Sequence, residues 1–385
     1  MSFQERNAEL SKIYIDNKFI VERFTNQSGL LWVWGTGDSG ALGNNAVANQ
    51  SSPLQTVAGG TNWKQVSCGT SYTGAIKTDG TLWMWGVNTN GRLGNNSVLH
   101  QSSSVQTVAG GTNWKQVACS IYHTAAIKTD GTLWLWGSGT GGRLGTNDQL
   151  HQSSPVQTIA GGTNWKQVSC GQNHTAAIKT DGTLWTWGYN GFGQLGTNNI
   201  VLKSSPVQTI SGGNDWKYVA CCLYSSAAIK TDGTLWSWGK NDGGQLGTND
   251  ILHRSSPVQT IAGGTNWKYV SCGFNHTGAI KTDGTLWVWG ANTTGNLGTN
   301  DIIHRSSPVQ TVAGGTNWKQ VSCGEYSTAA IKTDGTLWTW GLNINGRLGT
   351  NNVIDRSSPV QTIAGGTNWK QVACWSHHSA AIESF

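Results

Sequence analysis

The sequence predicts an all-β fold, a seven-bladed β-propeller with four antiparallel strands in each blade. Two observations lead to this prediction: a motif recurs at a constant interval, and each repeat divides into four short strand patterns. The motif Leu-Trp-x-Trp-Gly recurs every 51 residues, beginning at Leu31, Leu82, Leu133, Leu184, Leu235, Leu286 and Leu337. A constant period without insertions indicates one supersecondary unit that has been copied seven times.

The composition agrees with many short strands joined by turns. Of 385 residues, 53 are glycine and only 11% are charged, which is typical of a turn-rich folded chain and not of a disordered one. The net charge is +6, but the sequence contains no long run of basic residues. Because the lysines recur with the repeat, we expect their charge to be spread round a ring, and nucleic acid is not an expected partner.

One repeat shows the four strands in order. Pro155–Ile159 is a short strand followed by a Gly-Gly turn, and Trp165–Cys170 is the second strand. Thr175–Thr180 is the third strand, and the Asp-Gly pair after it predicts a two-residue hairpin turn. Thr183–Trp187 is the fourth strand, which a glycine ends. Four antiparallel strands in each copy are typical of propeller blades.

Side-chain alternation in the fourth strand predicts how the blades pack. Trp185 and Trp187 lie on one face of the strand, while Leu184 and Thr186 lie on the other. Paired indoles are large enough to fill the space between neighbouring blades. We therefore expect the tryptophans to form the core and not a surface on which bases stack.

The two ends of the chain predict how the ring closes. The last repeat stops after its third strand, while the strand at residues 30–35 has no first three strands before it. We expect the strand at 30–35 to pair with the C-terminal three strands, which removes the open sheet edges. Residues 30–385 would then form the propeller, and residues 1–29 an N-terminal extension.

Cysteine use predicts a reducing compartment. Cys222 is an additional cysteine, while the other seven share the repeat period: Cys68, Cys119, Cys170, Cys221, Cys272, Cys323 and Cys374. Equivalent positions in separate blades are held apart, so we expect buried, unpaired thiols and no zinc site. The polar start of the chain lacks a signal-peptide pattern, and no apolar run reaches the length of a membrane span. We expect the protein to be made in the cytoplasm.

The segment Val168–Gly196 reads VSCGQNHTAAIKTDGTLWTWGYNGFGQLG. It resembles the repeat of the regulator of chromosome condensation family, in which a His-Thr strand pair precedes an Asp-Gly turn and a Trp-Gly-x-Asn-x-x-Gly-Gln-Leu-Gly segment. The likeness covers residues 30–385 and implies a seven-bladed propeller, whereas the functions of family members diverge. The nearly identical copies suggest recent duplication, which is most like the bacterial and phage members.

Two departures from the family weigh against a role in guanine-nucleotide exchange. In the family that activity uses an insertion projecting from the propeller, and the constant period here leaves no room for one. The chromatin-bound member carries a basic N-terminal tail, whereas residues 1–29 here carry four acidic and four basic side chains.

Strand direction sorts the connections into two faces. The nearly constant Asp-Gly and Gly-Gly turns share one face, and the variable loops after the periodic cysteine and after Trp-Gly share the other. Scattered aromatic, histidine and aliphatic side chains on a rigid frame are typical of a binding surface, although drift in unselected loops is the alternative explanation. The candidate binding residues are Tyr72, Tyr122, His123, Tyr189, Phe192, Tyr224, Lys240, Phe274, Tyr326, Ile344, Trp375 and His377.

The sequence contains no catalytic or cofactor-binding pattern. A nucleotide loop, a Gly-x-Ser-x-Gly elbow and an HExxH helix are all absent. Two histidine sets recur with the repeat, one at His123, His174, His276 and His378 and one at His100, His151, His253 and His304. A ring of blades keeps such residues apart, so we predict structural hydrogen bonds, no metal, no cofactor and no enzymatic activity.

The sequence therefore predicts a structural or binding module that presents its variable loops to a protein partner. A predicted short helix at Phe3–Leu10 and a hairpin around Asp16 are too small to bury themselves. We expect them to attach the propeller to a larger assembly, such as the surface or tail of a phage virion. Two alternatives stay open: a guanine-nucleotide exchange or chromatin-associated regulator, and a glycan-binding, lectin-like propeller.

Overall fold

The structure is a computed structural model that describes residues 29–384. The predicted N-terminal helix and hairpin lie outside the described residues. The described part contains 28 strands. In chain order they are β1 (Leu30–Gly35), β2 (Gln50–Gln55), β3 (Trp63–Gly69), β4 (Tyr72–Lys77), β5 (Leu82–Gly86), β6 (Gln101–Gln106), β7 (Trp114–Cys119), β8 (His123–Lys128), β9 (Leu133–Gly137), β10 (Gln152–Gln157), β11 (Trp165–Cys170), β12 (His174–Lys179), β13 (Leu184–Gly188), β14 (Lys203–Gln208), β15 (Trp216–Cys221), β16 (Ser225–Lys230), β17 (Leu235–Gly239), β18 (Arg254–Gln259), β19 (Trp267–Cys272), β20 (His276–Lys281), β21 (Leu286–Gly290), β22 (Arg305–Gln310), β23 (Trp318–Cys323), β24 (Ser327–Lys332), β25 (Leu337–Gly341), β26 (Arg356–Gln361), β27 (Trp369–Cys374) and β28 (His378–Glu383).

These strands form seven antiparallel sheets of four strands, which confirms the predicted propeller. Blades I to VI take consecutive strands, from β3–β6 in blade I to β23–β26 in blade VI. The first strands of neighbouring blades contact one another round a closed ring, so they line the central channel and the fourth strands lie outermost. The sequence left this point open because a four-stranded meander can be threaded from either end.

Blade VII closes the ring with two strands from each end of the chain. β1 pairs with β28, from Leu30 opposite Glu383 to Gly35 opposite His378, which confirms closure by the strand at residues 30–35. The composition of the closing sheet differs from the prediction, because it contains β27, β28, β1 and β2. The expected third C-terminal strand, β26, instead pairs with β25 in blade VI. Each outer strand pairs with the strand that precedes it in the chain, and this shifts the blade boundary by one strand.

The indoles of each blade pack against aliphatic side chains of the preceding blade, as predicted. Between blades II and III, Trp165 and Trp187 share a buried cluster with Ile127 and Leu135. The two indole rings meet edge-on, with centroids 6.2 Å apart. Trp187 is fully buried, and its Nε1 donates a hydrogen bond to the Arg143 carbonyl of blade II at 2.9 Å. Seams of this kind fix the angle between neighbouring blades.

Glutamine amides join the inner strands of neighbouring blades. Gln65 Nε2 donates to the Val117 carbonyl at 2.8 Å, and the Val117 amide donates to Gln65 Oε1 at 2.9 Å. The same pair of bonds is made by Gln116, Gln167, Gln320 and Gln371. In blades IV and V, Tyr218 and Tyr269 replace glutamine, with ring centroids 5.1 Å apart. The amides satisfy backbone groups of inner strands that would otherwise be open edges.

The eight cysteines are all buried and unpaired, as predicted. The seven cysteines of the inner strands line the channel wall. Burial raises the pKa of the thiols, to about 12 for Cys119 and Cys221. Such thiols react slowly near neutral pH, because the nucleophilic form is the thiolate.

Candidate functional site

The strand order gives the ring two different faces. Each inner strand runs towards the face where the loop after the periodic cysteine lies, and antiparallel pairing brings the segment after Trp-Gly to that same face. We call this the loop face. The Asp-Gly and Gly-Gly turns lie on the opposite side, which we call the turn face. The division of variable and constant connections between two faces therefore agrees with the sequence prediction.

Two of the candidate binding residues are buried in the seams between blades. Tyr72 is 0% exposed, and its hydroxyl donates to the His123 carbonyl at 2.8 Å. His123 is also 0% exposed, and its Nε2 lies 2.8 Å from Thr175 Oγ1 in the next blade. The expected surface role of these two side chains is wrong, because the last residue of this loop turns inward and begins the second strand.

The predicted structural role of the family histidines agrees with the seam geometry. His174, His276 and His378 make the same contact as His123, at 2.9, 2.9 and 2.7 Å from Ser226, Thr328 and Thr73. Thr175 Oγ1 in turn donates to the Arg143 carbonyl, so His123 Nε2 is the donor in its own bond. Burial lowers the pKa of His174, His276 and His378 to about 3. These imidazoles are neutral parts of the frame.

The second histidine set braces the loop-face segments. The Nδ1 atoms of His100, His151, His253 and His304 accept backbone N–H bonds from the residue two positions after the Trp-Gly pair, at 2.8 to 3.2 Å. Asp355 and Asn49 accept the equivalent bond through side-chain oxygens. Among residues 29–384, no group of three His, Cys, Asp or Glu side chains has the arrangement of a metal site.

Three candidate residues converge on an aromatic pocket at blades II to IV. Tyr189 and Phe192 follow β13, and Tyr224 lies in the loop after β15. Ring centroids of Phe192 and Tyr224 are 5.3 Å apart, and those of Tyr189 and Tyr224 are 6.2 Å apart. The three rings line a cavity of about 410 Å³ together with Thr140, Gly141, Arg143 and Asn173. Tyr189 is 36% exposed and is the most exposed of the three rings.

Two cations border the aromatic pocket. Lys240 Nζ lies 5.4 Å from the Phe192 ring centroid and 2.9 Å from Asp242 Oδ2. Arg143 is almost buried, and desolvation lowers the pKa of its guanidinium to about 10. Its Nε and Nη1 donate to backbone carbonyls and its guanidinium lies 5.0 Å from the Tyr122 ring. The pocket thus combines aromatic walls with donors, a combination that suits a side chain with an apolar body and a polar end.

A second group of candidates surrounds the loop-face mouth of the channel. Phe274, Trp375 and His377 line a cavity of about 250 Å³ with Ile121, Glu325 and Ser376. Phe274 stacks on Tyr326 with centroids 5.7 Å apart. Trp375 also lines the channel, so it lies between the two spaces. We call this group the central cavity.

The polar groups of the central cavity do not form a catalytic triad. Ser376 Oγ donates to the Glu325 carboxylate, and His377 Nε2 lies 4.0 Å from the same carboxylate. The histidine therefore does not stand between serine and acid, as a nucleophile and its base require. Burial lowers the pKa of His377, and Arg347 lowers it further.

The remaining candidates are placed separately. Tyr122 packs under Arg143, while Ile344 is 52% exposed and lies on blade VI away from both cavities.

Four residues that line the cavities were not predicted from the sequence: Arg143, Asn173, Ile121 and Glu325. Glu325 carried a usable signal, because it is the one acidic residue among its seven repeat equivalents, which otherwise are Thr, Ile, Gln, Leu, Phe and Ser. No such signal marked Arg143, since Arg92 and Arg347 occupy the same repeat position.

Comparison with known proteins places this geometry among known propellers. Residues 30–381 match the family model described as RCC1-like domain. The chain is 32% identical to the ultraviolet-B receptor UVR8 of Arabidopsis thaliana over 334 residues, which cover 85% of this chain and 76% of the receptor. It is 29% identical to the mouse E3 ubiquitin-protein ligase HERC2 and covers 8% of that protein. The structure of Prp20p from Saccharomyces cerevisiae, described with its binding to Gsp1p and histones, superposes with a TM-score of 0.82 at 19% identity, covering 95% of both chains.

These relatives come from a plant, an animal and a yeast, and they do not support the expected likeness to bacterial and phage members. The near-identity of the repeats indicates that the copies diverged recently. It does not indicate from which group of organisms the chain comes. No helix in the described part of the chain is long and apolar enough to cross a membrane.

Proposed function

This chain belongs to the RCC1-like domain family, and from this premise we propose that it is a non-enzymatic regulatory module whose loop face binds a protein partner. The observation that carries the proposal is the aromatic pocket. Partly exposed aromatic rings beside a cavity are the side chains that dominate binding energy in protein interfaces. A rigid frame under them reduces the entropy lost on binding.

The position of both cavities on the loop face supports a single partner that contacts both of them. The aromatic pocket lies at blades II to IV, and the central cavity lies over the channel. Each cavity joins apolar rings to polar groups, with Arg143 in one and Glu325 in the other. A protein partner with one anchoring side chain for each cavity fits this arrangement better than a small ligand, because neither cavity is enclosed.

Differential capture from an extract of the source organism tests the proposal. The test variant Tyr189→Ala/Phe192→Ala/Tyr224→Ala removes the pocket walls. The control variant Ile159→Ala/Ile210→Ala/Ile261→Ala removes apolar side chains on the turn-face side that are 59%, 55% and 55% exposed. We expect partners captured by the wild type to be retained by the control and lost from the test variant. Retention by all three proteins would refute recognition through this pocket.

A second candidate function is regulation of a small GTPase or of chromatin, which the binding described for Prp20p favours. Release of labelled guanine nucleotide from a small GTPase, followed with and without the propeller, tests it. Acceleration that is lost in the pocket variant would support this candidate. A nucleotide release rate that the propeller leaves unchanged would exclude exchange activity towards the GTPase tested.

The relatives do not support a virion role. Attachment through residues 1–29 remains a proposal. The glycan-binding alternative also remains a prediction, and a glycan array would test it.

A further inference from the structure

One lysine stands near the turn-face end of each of the seven inner strands, and we call these seven residues the lysine ring. Each inner strand begins with Trp-Lys, and the lysine is its second residue. Because the inner strands neighbour one another round the ring and carry the lysine at the same position, the backbones of these lysines lie at one level round the channel. They are Lys64, Lys115, Lys166, Lys217, Lys268, Lys319 and Lys370. All seven side chains are half-buried.

Each of these lysines lies at the same irregular position of its strand. In blade I, Trp63 lies opposite Lys77 and Gln65 lies opposite Ile76, so Lys64 is the extra residue of a β-bulge. The register shifts at the same place in the other six blades. A bulge re-aims a side chain that regular alternation would otherwise direct into the seam between blades. The lysine ring is therefore a feature of the repeat and not scattered surface charge.

In the part of the chain that the structure describes, few acidic residues occupy the turns next to this ring. The turns that precede the seven inner strands contain one acidic residue, Asp215, and it pairs with Lys230 at 3.2 Å. A second, outer set of turn-face lysines differs, because each is followed two residues later by an aspartate. Lys179 of that set lies between two indoles, 4.8 Å from Trp165 and 4.7 Å from Trp185. The excess positive charge of the turn face is thus concentrated at the channel mouth.

Two neighbouring lysines of the ring are close enough to affect one another. Burial, and then the nearby Lys166 ammonium, lower the pKa of Lys217. Like charges held together in this way are stabilised by an anion that contacts several of them at once.

We propose that the lysine ring binds a compact polyanion that carries several phosphate groups. Ammonium groups are strongly hydrated point charges with three donors, and they suit phosphate oxygens. Because the ring closes round one axis, its ligand must present charge in several directions from a small body. A nucleic-acid duplex presents phosphates along a rod and would meet only part of the ring. This site is on the face opposite the aromatic pocket. A test of the site is therefore independent of the test of the proposed protein contact.

Titration of the full-length protein with inositol hexakisphosphate tests the proposal. The test variant is Lys64→Gln/Lys115→Gln/Lys166→Gln. The control variant Lys77→Gln/Lys128→Gln/Lys179→Gln removes the same charge from the outer lysines of the same three blades. We expect the test variant to bind at least about tenfold more weakly than the control, and binding to weaken as salt increases. A melting curve of each variant without ligand establishes that both are folded.

A second experiment uses vesicles that contain phosphatidylinositol bisphosphate. It distinguishes a lipid headgroup from a free polyphosphate as the source of the phosphate groups. Sedimentation with vesicles that depends on the three inner lysines would assign a lipid headgroup, and binding of only the soluble probe would assign a free polyphosphate. Equal loss of affinity in the two variants would overturn the proposal. It would also be overturned if duplex DNA or an acidic peptide displaced the probe at lower concentration than inorganic tripolyphosphate.

Discussion

Gln65 and Val117 are joined by two hydrogen bonds across the seam between blades I and II, at 2.8 and 2.9 Å. The side-chain amide of one blade thus pairs with both backbone groups of a single residue in the next. The same relationship joins the inner strands at five of the seven seams, where it leaves no open edge on the channel wall. It also predicts where the ring is most sensitive to a change of one polar side chain.

Replacing Gln65 with alanine is expected to lower the free energy of unfolding by about 1–3 kcal/mol, because the Val117 amide and carbonyl lose their partner. Gln106→Ala is the matched control, since Gln106 is an exposed glutamine of the same blade. Urea denaturation of the two variants and the wild type provides the measurement. Equal stability of the two variants would show that water replaces the lost bonds.

We expect the seam histidines to lower the free energy of unfolding as the pH falls. The pKa of His174, His276 and His378 is about 3 in the folded protein against an ordinary value of 6.5, and that of His123 is also well below 6.5. Below pH 6.5 the unfolded chain therefore binds more protons than the folded one, and stability falls as the pH falls from there towards 3. Each histidine contributes a slope of about 1.4 kcal/mol per pH unit.

A serine substitution measures this contribution, because Ser225 and Ser327 stand at the equivalent positions of blades IV and VI. We expect His174→Ser to reduce the slope of stability against pH between pH 6 and 4 by about one quarter. The hairpin aspartates change stability only at lower pH, because a hydrogen bond from Thr183 lowers the pKa of Asp181 from its usual 3.8. An unchanged slope in the serine variant would contradict the assignment to the histidines.

Trp375 is expected to close the loop-face end of the channel. Its repeat equivalents are the small residues Gly69, Ser120, Gly171, Cys222, Gly273 and Gly324. Because glycine is the commonest of them, Trp375→Gly should keep the fold and open the channel. We predict faster modification of the channel cysteines by a thiol reagent. Tyr326→Ala, which removes a loop-face aromatic that does not line the channel, should leave that rate unchanged.

Deleting residues 1–28 is expected to leave the propeller folded but to abolish its assembly with a larger complex. The described propeller begins at Gly29, which exchanges two backbone bonds with Trp63 at 3.0 and 3.2 Å. Thermal melting checks the first part, and co-purification from the source organism checks the second. Recovery of the deleted protein in its complex would disprove attachment through this segment.

Most of the fold could be predicted from the sequence because it follows from local patterns. The period, the strand patterns and the Asp-Gly turns need only the alternation of side chains and the geometry of a hairpin. The missing partner strands at the two chain ends predicted closure. Much less of the candidate site could be predicted. Tyr72 and Tyr224 share a loop type, yet one is buried and the other borders a pocket, because their positions in that loop differ by one residue.

The sequence by itself determined the number of blades, the strands of each repeat and the separation of constant turns from variable loops. Only the tertiary structure decided which strand lines the channel, because both threadings of a meander satisfy the same alternation. That decision brings Lys64 and Lys166, 102 residues apart in the chain, to one channel mouth. It likewise brings Ile121 and Trp375 to one cavity. Contacts between distant residues depend on the closure of the ring, and no local pattern contains that information.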